Sequence, residues 1–391
     1  MTTTFQTILR TSGAAYCLEC GKCSAVCPIT RWETADFASP RRLVEAAMLG
    51  RTGEVFDAPL FWSCLTCDRC RELCPSAVHF AEFIRDARGI ARENGRTGAC
   101  THGDVIHTWS RIMTDPGLRQ NRLGWLTPEL GVSETSDTIF FAGCLPHYDA
   151  LFEELDIEGV EIARAALRLL NAVGISPRVL ADERCCGHDQ LWQGDFETFR
   201  KLGRLNLDLL AQTGARQIVT ACPECARTLA RDYPRFIGAH GLDVYHITEV
   251  LDRALSEGLL EFDPPGDGRR ITYQDPCRLG RHLGVFDAPR ALIKAAGHDL
   301  LEMAHAKRAS ICCGTSCWTA CGQVNKHIQT ERLQEAKATG ADLLVTACVK
   351  CQIHFKCARQ GPVCNGDSDI EIQDITTLLA QRLREKEESE P

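Results

Sequence analysis

Along the chain, the hydrophobic pattern changes character near residue 137. Before it, apolar residues recur at helical spacing in short segments. Residues 39–51, SPRRLVEAAMLGR, place a Ser cap and a proline at the first helical position ahead of such spacing, which predicts a helix. Residues 99–136 hold Trp109, Pro116, Trp125 and Pro128 without strand alternation, and they predict a helical connector packed on a neighbour. The tryptophans read as core anchors; stacking on a ligand is the alternative use, but nothing polar and nucleotide-like surrounds them.

Beyond residue 137, short apolar runs alternate with helical segments, twice. The first round is a strand TIFFA before Cys144, a helix over about 158–173, a CysCysGly turn, a helix over about 196–213 and a strand QIVTA before Cys222. The second is a strand RITY before Cys277, a helix over about 289–296, CysCysGly again at 312–314, a helix over about 323–339 and a strand DLLVTA before Cys348. Such alternation predicts a duplicated parallel-sheet α/β unit with its sites at the carboxyl ends of the strands.

The cysteines follow the same duplication. Cys144, Cys185, Cys186, Cys222 and Cys225 are spaced C-x40-CC-x35-CxxC, and Cys277, Cys312, Cys313, Cys348 and Cys351 repeat this as C-x34-CC-x34-CxxC. Random placement does not generate a pattern this long. Five thiols exceed what one cubane cluster needs, so one bridges or is spare. Adjacent cysteines cannot easily cap neighbouring corners of a cube, but they suit a more open cluster, and Gly187 and Gly314 after the pairs let the backbone turn away beneath a metal.

Two further groups lie upstream, Cys17, Cys20, Cys23, Cys27-Pro28 and Cys64, Cys67, Cys70, Cys74-Pro75, both CxxCxxCxxxCP. Three thiolates at that spacing wrap three corners of an iron–sulfur cube, and the fourth ligates the other cube. The expected sets are Cys17, Cys20, Cys23 and Cys74, and Cys64, Cys67, Cys70 and Cys27. A pair of zinc knuckles is the bland alternative, but zinc needs four ligands, usually as two separated pairs, and gains nothing from a doubled run of four with a terminal proline.

Composition agrees with metal. The chain has 391 residues, 44% apolar and 25% charged, an ordinary globular balance with room for two or three domains, yet it carries 23 cysteines. Its opening lacks a basic stretch followed by a long apolar run, and no later run suffices to cross a bilayer. A reducing, cytoplasmic setting follows, with any membrane association through a partner, and there clustered thiols mean metal. The net charge of −8 with scattered basic residues argues against nucleic acid. The terminal RLREKEESEP reads as a frayed, solvated helix end.

The N-terminal motifs resemble a bacterial two-cluster ferredoxin with helical elaboration, as in the iron–sulfur subunits of fumarate and succinate oxidoreductases. The duplicated cysteine pattern is the signature of the CCG domain. Together they resemble the D subunit of heterodisulfide reductase, equivalent to fused C and B subunits, and segments 275–282 (DPCRLGRH), 286–290 (FDAPR) and Pro-Glu-Cys after Cys222 are especially similar. The resemblance implies a ferredoxin-like domain over 1–98 with two cubane 4Fe-4S clusters, a connector over 99–136, and CCG domains over 137–262 and 263–391. Each CCG domain would hold a non-cubane 4Fe-4S cluster on its five cysteines, with a small disulfide cleaved between the two. This sequence departs from the family where CCG continues as TSCW and HDQLW, placing Cys317, Trp318 and Trp192 where small residues are usual.

Cleaving a disulfide takes two electrons and two protons. His147, His188, His282 and His354 lie two to five positions after CCG cysteines and are the candidate proton donors. The alternative is that each ring merely holds a carbonyl or a cluster sulfide in place. Cys100, Cys317, Cys321, Cys357 and Cys364 fall outside the motifs and read as ordinary thiols. With no GxGxxG and no P-loop, electrons must come from a partner, either a flavoprotein or another iron–sulfur subunit. Three readings compete: a catalytic subunit for a small thiol/disulfide pair; a wiring subunit of a flavin-dependent complex of the glycerol-3-phosphate dehydrogenase, glycolate oxidase or aromatic acyl-CoA reductase type; and a zinc-stabilised adaptor.

Overall fold

A computed structural model describes residues 4–35, 37–263, 269–364 and 368–384. Most of the charged C-terminal run, 385–391, lies outside them. From Phe5–Thr11 to Phe80–Glu93 the described residues form helices only. The segment expected to be helical from residue 39 is the helix Pro40–Met48, where Ser39 Oγ accepts from the Arg42 amide and Pro40 opens the first turn. Its end follows from Gly50, which turns the chain at φ 71°. The longest helix of this part, Phe80–Glu93, buries Phe80, Phe83, Ile84, Ala87 and Ala91. Arg88 on the same helix is fully buried and donates to the carbonyls of Phe61, Trp62 and Cys64 on one side and of Trp192 on the other. One guanidinium thus satisfies acceptors on both sides of the boundary.

The connector is helical only over Val105–Ile112. Trp125 is buried in the main core, as expected of an anchor, whereas Trp109 is half-buried with its ring centroid 4.1 Å from that of His147.

Seven parallel-paired strands follow: β1 (Thr138–Phe140), β2 (Gln217–Thr220), β3 (Asp243–His246), β4 (Arg270–Gln274), β5 (Asp299–Leu300), β6 (Leu343–Thr346) and β7 (Glu371–Asp374). One sheet runs β1-β2-β3 and the other β5-β4-β6-β7. A parallel bridge from Ile139 to Arg178 puts the 178 segment where β5 lies in the second sheet, so both repeats share one order. Helices on the sheet faces bury β1, β2, β4 and β6, which is why those strands read as apolar runs in the sequence.

The repeats complete each other's core. Helix Ile247–Ser256, which ends the first repeat, packs on Ala288–Ala295 of the second, and Ile375–Ala380, which ends the second, packs on Gly159–Ala172 of the first. Leu167, Leu170, Leu251, Leu292, Ile375 and Leu379 belong to one continuous cluster, and all six are fully buried. No helix among the described residues is long and apolar enough to cross a membrane.

Candidate metal centres

The described residues bring the cysteines together in four groups. Cys27, Cys64, Cys67 and Cys70 line one cavity at the end of helix Pro59–Ser63. Burial pushes Cys64 up to about 12, and Cys70 well up, with Asp68 and the neighbouring thiols adding to the rise. In the outer group, Cys23 feels both Cys17 and Cys74, which brings the fourth thiol of the second motif to the first three of the other. Cys20 is exposed there, beside Tyr16 and Leu18 at 71% and 69% exposure.

The five thiols of the first repeat all line one cavity. Cys144 arrives from the loop after β1, Cys185 and Cys186 from the CysCysGly turn, and Cys222 and Cys225 from the loop after β2 and the helix Pro223–Arg227. Cys144 Sγ lies 3.6 Å from Cys185 and Cys186 Sγ 3.5 Å from Cys225. The remaining pairs also act on each other: Cys185 raises Cys186, and Cys222 raises Cys225.

The second repeat links Cys277, Cys312, Cys313, Cys351 and Cys348 in the same order. Four of them line one cavity, and the fifth, Cys312, packs in the same buried cluster as Cys67 of the helical domain. The Cys312 side chain holds Cys67 down to about 5. Cys222 and Cys348 feel each other electrostatically, so the two repeat sites are neighbours.

Both turn glycines have left-handed backbone, φ 81° at Gly187 and 88° at Gly314. The tight turn expected after each pair is present, and it also serves packing. A Cβ on Gly187 would lie 2.8 Å from Phe199, and one on Gly314 would lie 2.9 Å from the Asn325 carbonyl oxygen, so the close approach is to the following helix.

Of the four candidate histidines, two reach a cavity wall. His188 lines the first cavity, its Nε2 3.3 Å from both Glu224 Oε1 and Arg278 Nε. His354 lines the second, with Nδ1 3.2 Å from Cys313 Sγ. His147 and His282 line neither. Burial and then Arg122, which donates to Nε2 at 3.0 Å, push His147 down to about 4. Burial and then Arg278, donating at 2.7 Å, push His282 well down. Trp192 and Trp318 are fully buried: Arg278 lies over the first at 4.1 Å and Phe152 stacks on the second at 5.2 Å. Cys317, also buried, packs in the cluster that contains Cys186 and lines neither cavity.

The DPCRLGRH segment explains itself here. Arg278 donates to the Thr66 carbonyl at 2.7 Å and to Thr66 Oγ1 at 2.7 Å, and Arg281 Nε donates to the Cys67 carbonyl at 2.6 Å. Both arginines therefore fasten the second repeat to the Cys64–Cys70 loop. Beneath the first site, Glu183 accepts from the Gly143 and Ala142 amides and pairs with Arg122 at 2.6 Å, which fixes the loop that carries Cys144.

Sequence reasoning passed over Glu224 and Lys350. They are the equivalent residues inside Cys222-Pro-Glu-Cys225 and Cys348-Val-Lys-Cys351. Lys350 Nζ lies 2.8 Å from Glu224 Oε2 and 2.6 Å from Asp189 Oδ1, and Glu224 lines both repeat cavities. Against burial, Asp189 and Glu224 hold Lys350 well above the usual lysine range; against burial, His188 and Lys350 hold Glu224 well below the usual carboxylate range. Opposite charges inside two matching CxxC motifs were the available signal.

Comparison with known proteins agrees with this arrangement. The family described as "4Fe-4S dicluster domain" matches residues 13–78, and the family described as "Cysteine-rich domain" matches 138–230 and 271–356. The chain is similar to the D subunit of the dihydromethanophenazine:CoB–CoM heterodisulfide reductase of Methanosarcina barkeri, 28% identical over 94% of this chain and 93% of that one. A probable membrane-anchored ferredoxin of Chromohalobacter salexigens is 28% identical over 94% of this chain and 59% of its own length. An EtfAB:quinone oxidoreductase of Syntrophomonas wolfei is 29% identical over 76% of this chain and 43% of its own.

Proposed function

We propose that this chain, which carries a 4Fe-4S dicluster domain ahead of two cysteine-rich domains and is similar to the D subunit of heterodisulfide reductase, takes electrons from a partner and delivers them to a small-molecule disulfide, or runs the reverse. Cys17, Cys20, Cys23 and Cys74 would hold one cubane 4Fe-4S cluster and Cys64, Cys67, Cys70 and Cys27 the other. The five-thiol sets headed by Cys144 and by Cys277 would each hold a non-cubane 4Fe-4S cluster. When bound, such clusters exchange electrons singly. The donor sets fit: thiols crowded together in the interior, pushed well up at Cys70 by burial and at Cys225 and Cys351 by their neighbouring thiols and burial, are what cationic iron would relieve.

The carrying observation is that Glu224 lines both repeat cavities, so the two sites at which a disulfide would be divided share the wall that holds its ion pair with Lys350. The packing of Cys67 with Cys312 in one cluster and the proximity of Cys222 to Cys348 support a linear order, from outer group to inner group to second repeat to first repeat. His188 and His354, at the cavity walls, are the proposed proton carriers. A flavoprotein or another iron–sulfur subunit would dock at the exposed Cys20 rim with Tyr16 and Leu18. The proposed divisions remain 1–98, 99–136, 137–262 and 263–391, and the proposed setting is cytoplasmic, with membrane association through a partner.

A second reading, wiring within a larger flavin-dependent complex, draws support from the buried Trp192 and Trp318, which pack against the cavity-wall residues His188 and His354 and add bulk behind them. Anaerobic iron and sulfide analysis should give about sixteen irons per chain, four from each 4Fe-4S cluster. About half that amount would remove the claim for the repeats. Disulfide turnover with an artificial reductant separates the readings: turnover supports catalysis here, and full reduction of every cluster without turnover leaves wiring.

A further inference from the structure

A separate group of donors lies in the connector, away from all eighteen motif cysteines. The Cys100 thiol, an Asp104 carboxylate oxygen and a His107 ring nitrogen lie within 4.8 Å of one another. His107 is 1% exposed, yet its Nε2 has no hydrogen-bond partner. An imidazole nitrogen buried without a partner carries a desolvation penalty that native structures rarely leave uncompensated.

The surroundings suit a ligand role for that nitrogen. Asp104 is already oriented, its Oδ2 accepting from Arg111 at 2.6 Å. The backbone brings Cys100 in by a bridge to Thr319, with the Thr101 amide donating to the Trp318 carbonyl at 2.8 Å. His107 Nδ1 lies 2.8 Å from the Gln193 amide nitrogen and 3.4 Å from that of Gln190, whose buried Oε1 is itself unpartnered. Turning the Gln190 and Gln193 amides over offers their oxygens to an Nδ1 proton, which frees Nε2 as a lone pair for a metal. Burial and then Asp104 push the free thiol of Cys100 up to about 11, a repulsion that a cation would reverse.

We propose that Cys100, Asp104 and His107 form a mononuclear site for a borderline divalent cation, zinc foremost, distinct from the iron–sulfur centres. One sulfur, one nitrogen and one oxygen are a zinc donor set, and three protein ligands leave a fourth position open. Thiolate and carboxylate together balance the ion's charge, and the thiol proton leaves for solvent on binding. Cys100 is exposed and also lines a groove with His102, Cys321, Lys326 and Cys357, so the open position faces water. The ion would pin the 99–107 segment to the helix His188–Trp192 through the glutamines that hold His107.

The test uses the full chain with its iron loaded, purified anaerobically and given zinc. Zinc content should be about one per chain beyond iron, with a zinc-edge absorption shell of one sulfur at about 2.3 Å and the remainder nitrogen or oxygen. His107→Ala and Cys100→Ser should each lower zinc at least about tenfold with iron unchanged. Should His107→Ala lose iron as well, the exposed Cys100→Ser decides: zinc lost with iron intact supports the site, and zinc retained overturns it. A shell of two or more sulfurs, or a wild-type chain that takes up no zinc, overturns it too.

Discussion

Lys350 and Glu224 occupy the same position in two repeats of one chain, and they are bonded to each other, Nζ to Oε2 at 2.8 Å. A buried pair of this kind is no large net gain, but removing one partner strands the other's charge and costs about 3–5 kcal/mol. Lys350→Met leaves both Glu224 and Asp189 without their cation and is expected to lower stability by that order, read from denaturant unfolding. The contribution of Glu224, held low, is present above its unfolded value of 4.5 and is lost only as pH falls through the depressed folded one. That of Lys350, held high, is present below its unfolded value of 10.5 and is lost as pH rises through the raised one. The penalty of Lys350→Met should therefore be flat between about pH 5 and 10; a penalty that falls steeply within that window contradicts the charged pair.

Cys67 joins the helical domain to the second repeat through Cys312. Cys67→Ser is expected to cost about four irons, one cluster's complement, while the repeats keep theirs. Reduction of the repeat clusters by the native donor should slow sharply. If stopped-flow absorbance shows reduction at the wild-type rate, that group is off the route.

The α/β rhythm was legible because β1, β2, β4 and β6 are buried on both faces and read as unbroken apolar runs. β3 and β7 each open with an exposed residue, Asp243 and Glu371, span four residues, and were passed over. Helix Ile247–Ser256 carries its signal in a capping box between His246 and Glu249. Amphipathicity says that a face is buried, not that it is buried against the other repeat. The thiol groupings followed from spacing, whereas the packing of Cys67 with Cys312 and the pairing of Lys350 with Glu224 exist only once the chain is folded.

The vicinal cysteines give a sharper test of the open-cluster reading. In the wild type, a one-electron-oxidised sample mixed with a small thiol should show a new paramagnetic resonance. Cys186→Ser and Cys313→Ser should each abolish or alter the signal of one repeat while changing iron content little. An unchanged spectrum with unchanged disulfide turnover in both variants would favour the wiring reading.

Gly314→Ala asks whether the turn after the second pair is set by the helix behind it. The left-handed φ costs an alanine about 1–2 kcal/mol, and the overlap with the Asn325 carbonyl oxygen adds to it. A melting temperature lowered by several degrees, with the loss concentrated in the second repeat's cluster, is the expected result. An unchanged melt would mean that the helix Gln323–Ala338 shifts freely.

The reciprocal packing of the terminal helices bears on how such a chain can arise. A single repeat, cut free, would expose the apolar face of its last helix and lack the one that covers its first, so its natural recourse is a second copy of itself across the same pseudo-axis. In that homodimer two Glu224 side chains would meet, like charge against like, buried and unrelieved. Fusion into one gene lifts the constraint of identity: one copy can turn its glutamate into a lysine. The ion pair at the centre of this molecule is therefore open to a tandem and closed to a symmetric dimer.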